Sequence, residues 1–460
     1  MKFNKKIKNL ESEWFEKIIR KTTSCVYLPV EISTTFTIKK NDKFAVFLKK
    51  EEFNMVFPSR VSIRKINNEY YYGLRIPFEY FESIGKNKKY MVKILKLDKI
   101  NNDYITKFKG NFINMPSLIL RNTSDFSVTK WINKNEIIIW HENIRKEGRP
   151  QIPLILPKTV SLNSELAKYL GLYFADGHKT QYFRVYTPST ELANFVLATY
   201  KNLIRNSNLT LNVLFTRLNS DKRNNEVIIN YLNDYWEEFV NKKSIRILPN
   251  NTKLPEKISK HSKVGILKIQ DSRLLPLLIH KLLIEQTCNL MPQNKELALK
   301  FFEGAADGDV YVFDTPNHSF RYFQIATNEN EVKVWRKLCK ILNLKCFEYK
   351  RDGTAIVMHV GDYYNACLMF SSGIFENYNK RRVRLFNSLK NRIETKIFKH
   401  LAGKGHTDFA PKFSRYFGIN KNTDLIKYKL ITINNNKIML TNNGTNFLDI
   451  LTKTSILEED

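Results

Sequence analysis

The sequence predicts a mixed α+β chain in which an αββαββα unit occurs twice, as a pseudo-two-fold pair, between a β-rich N-terminal domain and a small C-terminal domain. Three observations predict this. Two apolar segments, Leu166 to Gly177 and Leu297 to Asp309, each place a glycine (Gly171, Gly304) five residues before an aspartate (Asp176, Asp309). Similar strand and helix signals follow each aspartate. The stretches outside this pair are either strand-rich or one-sidedly basic.

The N-terminal domain, 1–155, shows strand-like runs at 25–30, 44–48, 61–66 and 70–76. Residues 61–72 read as a hairpin turning at Asn67 and Asn68. A short helix over 76–85, closed by Gly85, and a strand over 90–97 follow. Together these read as a small β-rich domain that contacts DNA, faintly similar to swapped-hairpin DNA-binding modules. Three prolines between Gly148 and Pro157 mark a boundary.

The first repeat is expected over 156–290. Leu166, Tyr169, Leu170 and Tyr173 fall at helical spacing, with Ser161 or Ser164 as N-cap. Gly171 and Ala175 lie on one face, four apart, as do Phe301 and Ala305 in the second segment. A glycine inside a helix costs roughly 1 kcal/mol relative to alanine, so its presence argues for a second backbone close by. After Asp176 we expect a strand at 183–186, a helix at 191–204, strands at 211–218, 227–231 and 265–270, and a helix at 272–284, with 234–262 as an insertion. The second repeat, 291–385, reads more regularly: strands at 311–313 and 320–327, a helix at 329–342, strands at 345–350 and 355–360, and a helix at 362–370.

Together these residues resemble the LAGLIDADG (dodecapeptide, DOD-type) homing endonucleases, in the form that carries both motifs in one polypeptide. Leu170 to Gly177 matches the style of the first motif and Phe301 to Asp309 that of the second. The resemblance covers about 155–385. It departs at Val310, where the family usually has glycine, and at Phe174, often a small or acidic residue. Asp307 and Asp309 both stand near the second helix end, and the offset from Gly304 selects Asp309, with Asp307 as runner-up.

The resemblance implies a site-specific double-strand DNA endonuclease that hydrolyses phosphodiester bonds with Mg²⁺ (or Mn²⁺). Asp176 and Asp309 would be the metal ligands, and the backbone carbonyls of Ala175 and Gly308 would complete the shell. Two carboxylates brought together repel and raise one pKa, a conflict that a bound cation resolves. Basic residues near the scissile phosphates are carried over by location: Lys380 in the second repeat, Lys295 or Lys268 in the first. Base and backbone contacts are expected from the two sheets through Arg184, Asn212, Arg217, Arg321, Gln324 and Lys350, which alternate with apolar residues. Each of these also reads as an ordinary exposed strand residue. His178 is either an outer partner of the site or a plain loop residue.

The C-terminal domain, 386–460, is entered through a basic run, Lys380 to Lys404, that includes Arg381 and Arg382 as DNA contacts and Glu394 as its only acid. A helix over 408–417, another near 423–428, and a hairpin of 429–433 with 437–440 are expected. Residues 437–447 are similar to the wing and closing helix of winged-helix domains.

The chain has 75 Lys and Arg against 45 Asp and Glu, a formal net charge of +30. Such a balance points to a polyanion, here double-stranded DNA. Runs such as Asn434 to Lys437 show a Lys- and Asn-rich bias that accounts for part of it. No apolar run reaches the length of a membrane span, and no signal peptide is visible. The five cysteines are scattered, with no Cys-x-x-Cys pair, which suits reduced thiols in a cytoplasmic, nucleoid-associated protein. The pair of repeats predicts a monomer. The ends do not suit an intein, so the chain reads as free-standing or intron-encoded. The alternative is a non-cleaving binder on the same scaffold, a transcription regulator or an intron RNA maturase.

Overall fold

The computed structural model describes residues 12–19, 25–35, 38–39, 42–50, 53–76, 88–99, 112–122, 126–129, 136–141, 154–178, 180–217, 221–248, 264–313, 322–350, 355–404, 406–408, 424–434 and 437–458. The fold is mixed α+β, as expected. The N-terminal strands form a nine-stranded sheet. Its hairpin joins Phe53–Ile66 to Glu69–Arg75 through Asn67 and Asn68, at φ 49° and 66°. Asparagine tolerates this left-handed pair better than most residues, and the resulting twist matches the strands. The short helix expected over 76–85 lies outside the described residues, apart from Ile76.

This sheet has a core of its own, with Phe44, Val46, Phe57, Leu74, Val92 and Ile94. Ile113, Met115, Leu118, Ile137 and Leu154 belong instead to the main core. Phe112–Asn114 pairs with Thr159–Ser161 across the entry to the first motif helix. Ala45 and Leu95, from the central strands of the nine-stranded sheet, join the main core as well.

The second repeat has the order αββαββα. Helix Lys295–Asp309 is followed by strands Val310–Val312 and Phe323–Thr327, helix Glu329–Leu342, strands Cys346–Lys350 and Ile356–Val360, and helix Tyr363–Ser372. The middle helix starts at Asn328, whose side chain accepts from the N–H groups of Asn330 and Glu331, and stops at Asn343 in a left-handed cap. Val332, Trp335, Leu338, Cys339 and Leu342 recur at helical spacing and are buried.

The first repeat departs from that order. The expected strand over 227–231 is a helix, Asn225–Tyr235. Asn224 caps it by accepting from Val227 N–H, and Ile228 and Leu232, one turn apart, are its buried pair. A cap joined to four-residue spacing outweighs the strand preference of Val-Ile-Ile. Within the presumed insertion, Ile245–Leu248 adds a parallel strand beside Leu209–Thr216. Three strands correspond between the sheets, Phe183–Thr187 with Phe323–Thr327, Ile266–Asp271 with Ile356–Val360, and Leu209–Thr216 with Cys346–Lys350. Their fourth strands sit on opposite edges, Ile245–Leu248 in one and Val310–Val312 in the other.

Beyond the second repeat come helices Asn379–Lys390 and Ile393–Lys404, then a three-stranded sheet of His406–Asp408, Lys437–Leu440 and Ile431–Asn434. Helices Asp424–Lys427 and Asn442–Lys453 flank the hairpin. The module is seated on Tyr363–Ser372: Tyr364 stacks on Tyr428 with centroids 4.5 Å apart, and Tyr363 meets Phe447 edge-on at 6.0 Å. Apart from Asp408, the helix expected over 408–417 lies outside the described residues. Among the described residues, no helix is long and apolar enough to cross a membrane.

Candidate active site

The two motif helices, Ser164–Asp176 and Lys295–Asp309, begin alike. Asn163 accepts from Leu166 N–H at 2.9 Å and Asn294 from Leu297 N–H at 3.0 Å. The cap is therefore Asn163 rather than Ser161 or Ser164. From there the helices run against each other through reciprocal glycines. A Cβ on Gly171 would stand 2.0 Å from the Phe301 carbonyl oxygen. A Cβ on Gly304 would stand 1.7 Å from the Lys168 carbonyl oxygen. Neither site has room for any side chain. The same contact is made twice, once from each helix, as a two-fold relation requires.

The close approach persists to the helix ends. A Cβ on Gly308 would meet the Ala175 Cβ at 2.6 Å and the Asp176 carboxylate carbon at 3.1 Å. Asp176 thus lies against the residue that immediately precedes Asp309, and each acid is the last residue of its helix. Two helix C-termini carry partial negative charge, and two carboxylates add to it. Such a point favours a cation. An all-oxygen pair of carboxylates suits a hard divalent ion such as Mg²⁺ or Mn²⁺.

Part of that charge is met from outside the repeats. Arg381, on the helix after the second repeat, donates from Nη1 to the carbonyls of Ala306, at 2.9 Å, and Asp307, and from Nη2 to Gly308 O at 3.1 Å. The Arg381 guanidinium thus caps the second motif helix, and the Gly308 carbonyl, expected as a metal ligand, is one of the three that accept from it. On the first helix, Ala175 is the residue against which Gly308 packs.

Asp307 is turned inward. It is 2% exposed and lies 4.0 Å from Lys168 Nζ, which donates to Glu376 at 2.7 Å. Burial raises its pKa to about 7, opposed by Lys168 and Arg381. In the first helix the equivalent place is Phe174, packed on Phe301 at 5.6 Å and Trp335 at 6.0 Å.

The other expected residues distribute as follows. Lys295 is the first residue of its helix and Asp309 the last, so a rise of 1.5 Å per residue separates them by about 21 Å. Lys295 is therefore not at the acids. Lys380 is exposed in the first turn of Asn379–Lys390, beside Arg381. Lys268 stands on the helix-free face of the first sheet, opposite Tyr186 and Asn212. Burial first, then Arg184 and Arg246, lower its pKa. Arg184 donates to Gln270 Oε1 at 3.1 Å on the same face. Arg217 is committed to its own loop, donating to Asp221 O at 3.0 Å and Asn225 Oδ1 at 3.1 Å. Arg382 donates to Ile374 O at 3.1 Å and lies over Phe370. Gln324 is flanked by Tyr311 and His359 on the second sheet. Lys350 is exposed and pairs with Glu329 at 3.6 Å. Arg321 lies outside the described residues. His178 takes its backbone N–H to Arg184 O, and burial and Arg184 lower its pKa.

Sequence reasoning missed Tyr186, Arg246 and Gln270, which share the first sheet's face with Arg184 and Lys268. The alternation of Phe183 to Thr187 was the available signal. It also missed the support behind the first motif helix. His280 donates from Nδ1 to Pro276 O at 2.6 Å, so its Nε2 accepts from Tyr169 OH at 2.7 Å. Burial holds the imidazole neutral, with its pKa lowered to about 4.

No protein-family model matches the chain, and no curated protein matches it. Solved structures of the DNA-bound LAGLIDADG homing endonuclease I-DmoI are similar over under half of it. A substituted I-DmoI with its target DNA and manganese is 11% identical, covering 47% of this chain and 96% of that one, with a TM-score of 0.24. I-DmoI with DNA and calcium is 13% identical, covering 46% and 90%, with a TM-score of 0.23. A likeness at these scores bears no weight for function.

Proposed function

We propose that this chain is a divalent-metal-dependent endonuclease that cuts double-stranded DNA at specific sites, acting as a monomer. One observation carries the reading: reciprocal glycines lock two helices so that Asp176 rests against the residue preceding Asp309. A scaffold that only bound DNA would not need an acid at both helix ends.

Asp176 and Asp309 would hold the ions, Mg²⁺ or Mn²⁺, with the Ala175 carbonyl as a further oxygen on the first side. Once bound, such ions supply a nucleophilic water at neutral pH and offset the charge that builds on the phosphoryl group. Arg381 fixes the end of the second helix, which fixes the direction of the Asp309 carboxylate. Arg184, Arg246 and Lys268 give the first sheet a cationic face for the phosphate backbone, and Asn212 and Gln270 offer groups that can read base edges. Lys268 and Lys380 are the lysines best placed to face the scissile phosphates. The three-stranded C-terminal module, winged-helix-like in its order of strands and helices, and the N-terminal sheet extend the contact along the duplex.

The test incubates the wild type and the Asp176→Asn, Asp309→Asn double variant with DNA from the chain's own genomic neighbourhood and Mg²⁺ or Mn²⁺. Discrete cleavage by the wild type alone supports the nuclease. Tight, salt-sensitive binding without cutting by either protein replaces it with the non-cleaving regulator.

A further inference from the structure

The helix-free face of the second sheet is unlike that of the first. One cross-strand row reads Tyr311, Gln324, His359 and Phe347, and the next reads Ala326, Val357 and Tyr349. Tyr311, Phe347 and Tyr349 are 48%, 51% and 50% exposed. Large aromatic surface left in water in this way needs a partner. The rings are also ordered. His359 lies between Phe313 and Tyr349, with centroids 5.7 and 5.6 Å away and both rings within 19° of parallel. Tyr311 meets Phe313 edge-on at 5.5 Å.

The surroundings are cationic. The Arg384 guanidinium lies 5.3 Å from the Tyr311 ring centre and Lys345 Nζ lies 5.9 Å from that of Phe347. Glu348 and Lys350 alternate to the other side of the edge strand, where they pair with Arg336 at 2.7 Å and Glu329 at 3.6 Å. Ordered rings with a basic rim, in a chain of net charge +30, suit a ligand that is flat, aromatic and anionic.

We propose that this face is a stacking platform for unpaired bases of single-stranded nucleic acid. An intact duplex hides its base faces and shows a ring little more than thymine methyl groups in the major groove. An unpaired strand exposes every base face, and four-stranded sheets with aromatic residues on a helix-free face hold two or three such bases. Phe347 and Tyr349 each stack one base, and Tyr311 takes a third beside Arg384, whose charge meets the phosphate. The platform requires neither acid nor metal, so it stands apart from the cleavage reading.

The experiment measures fluorescence anisotropy of the full chain with labelled twelve-nucleotide oligodeoxythymidine and oligouridine. A duplex of the same length is the reference, chelator is present, and salt is high enough to suppress simple phosphate contact. The wild type is expected to bind the single strands more tightly than the duplex. The Phe347→Ala, Tyr349→Ala double variant should lose about 100-fold, near tenfold per ring. A Phe347→Tyr, Tyr349→Phe exchange should bind as the wild type does. A Phe347→Leu, Tyr349→Leu variant, apolar but unable to stack, should behave as the alanine variant. All three should melt with the wild type, because both sites are half exposed. Binding should also persist in the Asp176→Asn, Asp309→Asn variant even if no cleavage is ever seen. Unchanged affinity in the alanine variant, retained affinity in the leucine variant, or equal loss on the duplex would overturn the proposal.

Discussion

The two repeats meet on equal terms along their shared helices and diverge everywhere else. At the seam, Gly171 and Gly304 play the same part against each other's backbone. Two residues before each terminal acid, the symmetry is already gone. Phe174 fills its place with an aromatic contact, and Asp307 fills the equivalent one with a buried carboxyl beside Lys168. The sheets differ in the same way, one face polar and basic, the other aromatic. The buried support differs too. The first helix rests on the neutral Tyr169–His280 pair, whereas Glu303 in the second is met by Lys300 at 2.9 Å and Ser372 at 2.7 Å. Geometry at the seam tolerates no side chain, so it fixes residue type. The outer faces are free to take whatever each half binds.

The strongest way to break this symmetry is to remove one acid. Asp176→Asn or Asp309→Asn alone should lower metal-dependent cleavage by about 10²–10³-fold, measured as single-turnover rates on the same DNA, with either half equally vulnerable. Next in size, Gly171→Ala and Gly304→Ala should each destabilise the fold by about 3 kcal/mol, because the new methyl would overlap a carbonyl. Chemical denaturation should give nearly equal losses, and a clear inequality would show that the seam is not symmetric.

The buried pairs should separate the repeats by pH. His280 has a folded pKa of about 4, below the ordinary 6.5. The unfolded chain therefore takes up the proton first. The stability that depends on the neutral ring is complete above pH 6.5 and is lost as pH falls from 6.5 to 4, by about 3 kcal/mol. His280→Gln should flatten that limb in denaturation curves, while Glu303→Gln should leave it in place. The smallest effect belongs to the cap. Arg381→Ala should cost about 1–3 kcal/mol through three carbonyls left short of a donor, and Arg381→Lys should recover only part of it.

The motif helices were legible because two apolar segments at helical spacing each carry a glycine at the same offset from a terminal aspartate. The second repeat was legible because its caps and periods agree, as at Asn328 and Asn343. In the first repeat, the helix Asn225–Tyr235 was misread as a strand because three β-branched residues masked a cap at Asn224. The strand Ile245–Leu248 was lost because it pairs in parallel with a strand some 30 residues earlier, a contact with no local signature. Arg381 was recognised as basic, but its task depends on where one helix docks against the end of another 73 residues away. Local chemistry announces that a residue is charged, and only tertiary packing decides which partner it meets.

The reciprocal glycine seam also makes the two halves a matched pair. Its backbone contacts are alike from either side, Gly171 on Phe301 and Gly304 on Lys168, whereas its side-chain contacts are not: Phe174 packs on Phe301, and Lys168 lies 4.0 Å from Asp307. The glycines set how closely the helices approach, and the unlike side chains beside them distinguish one half from the other.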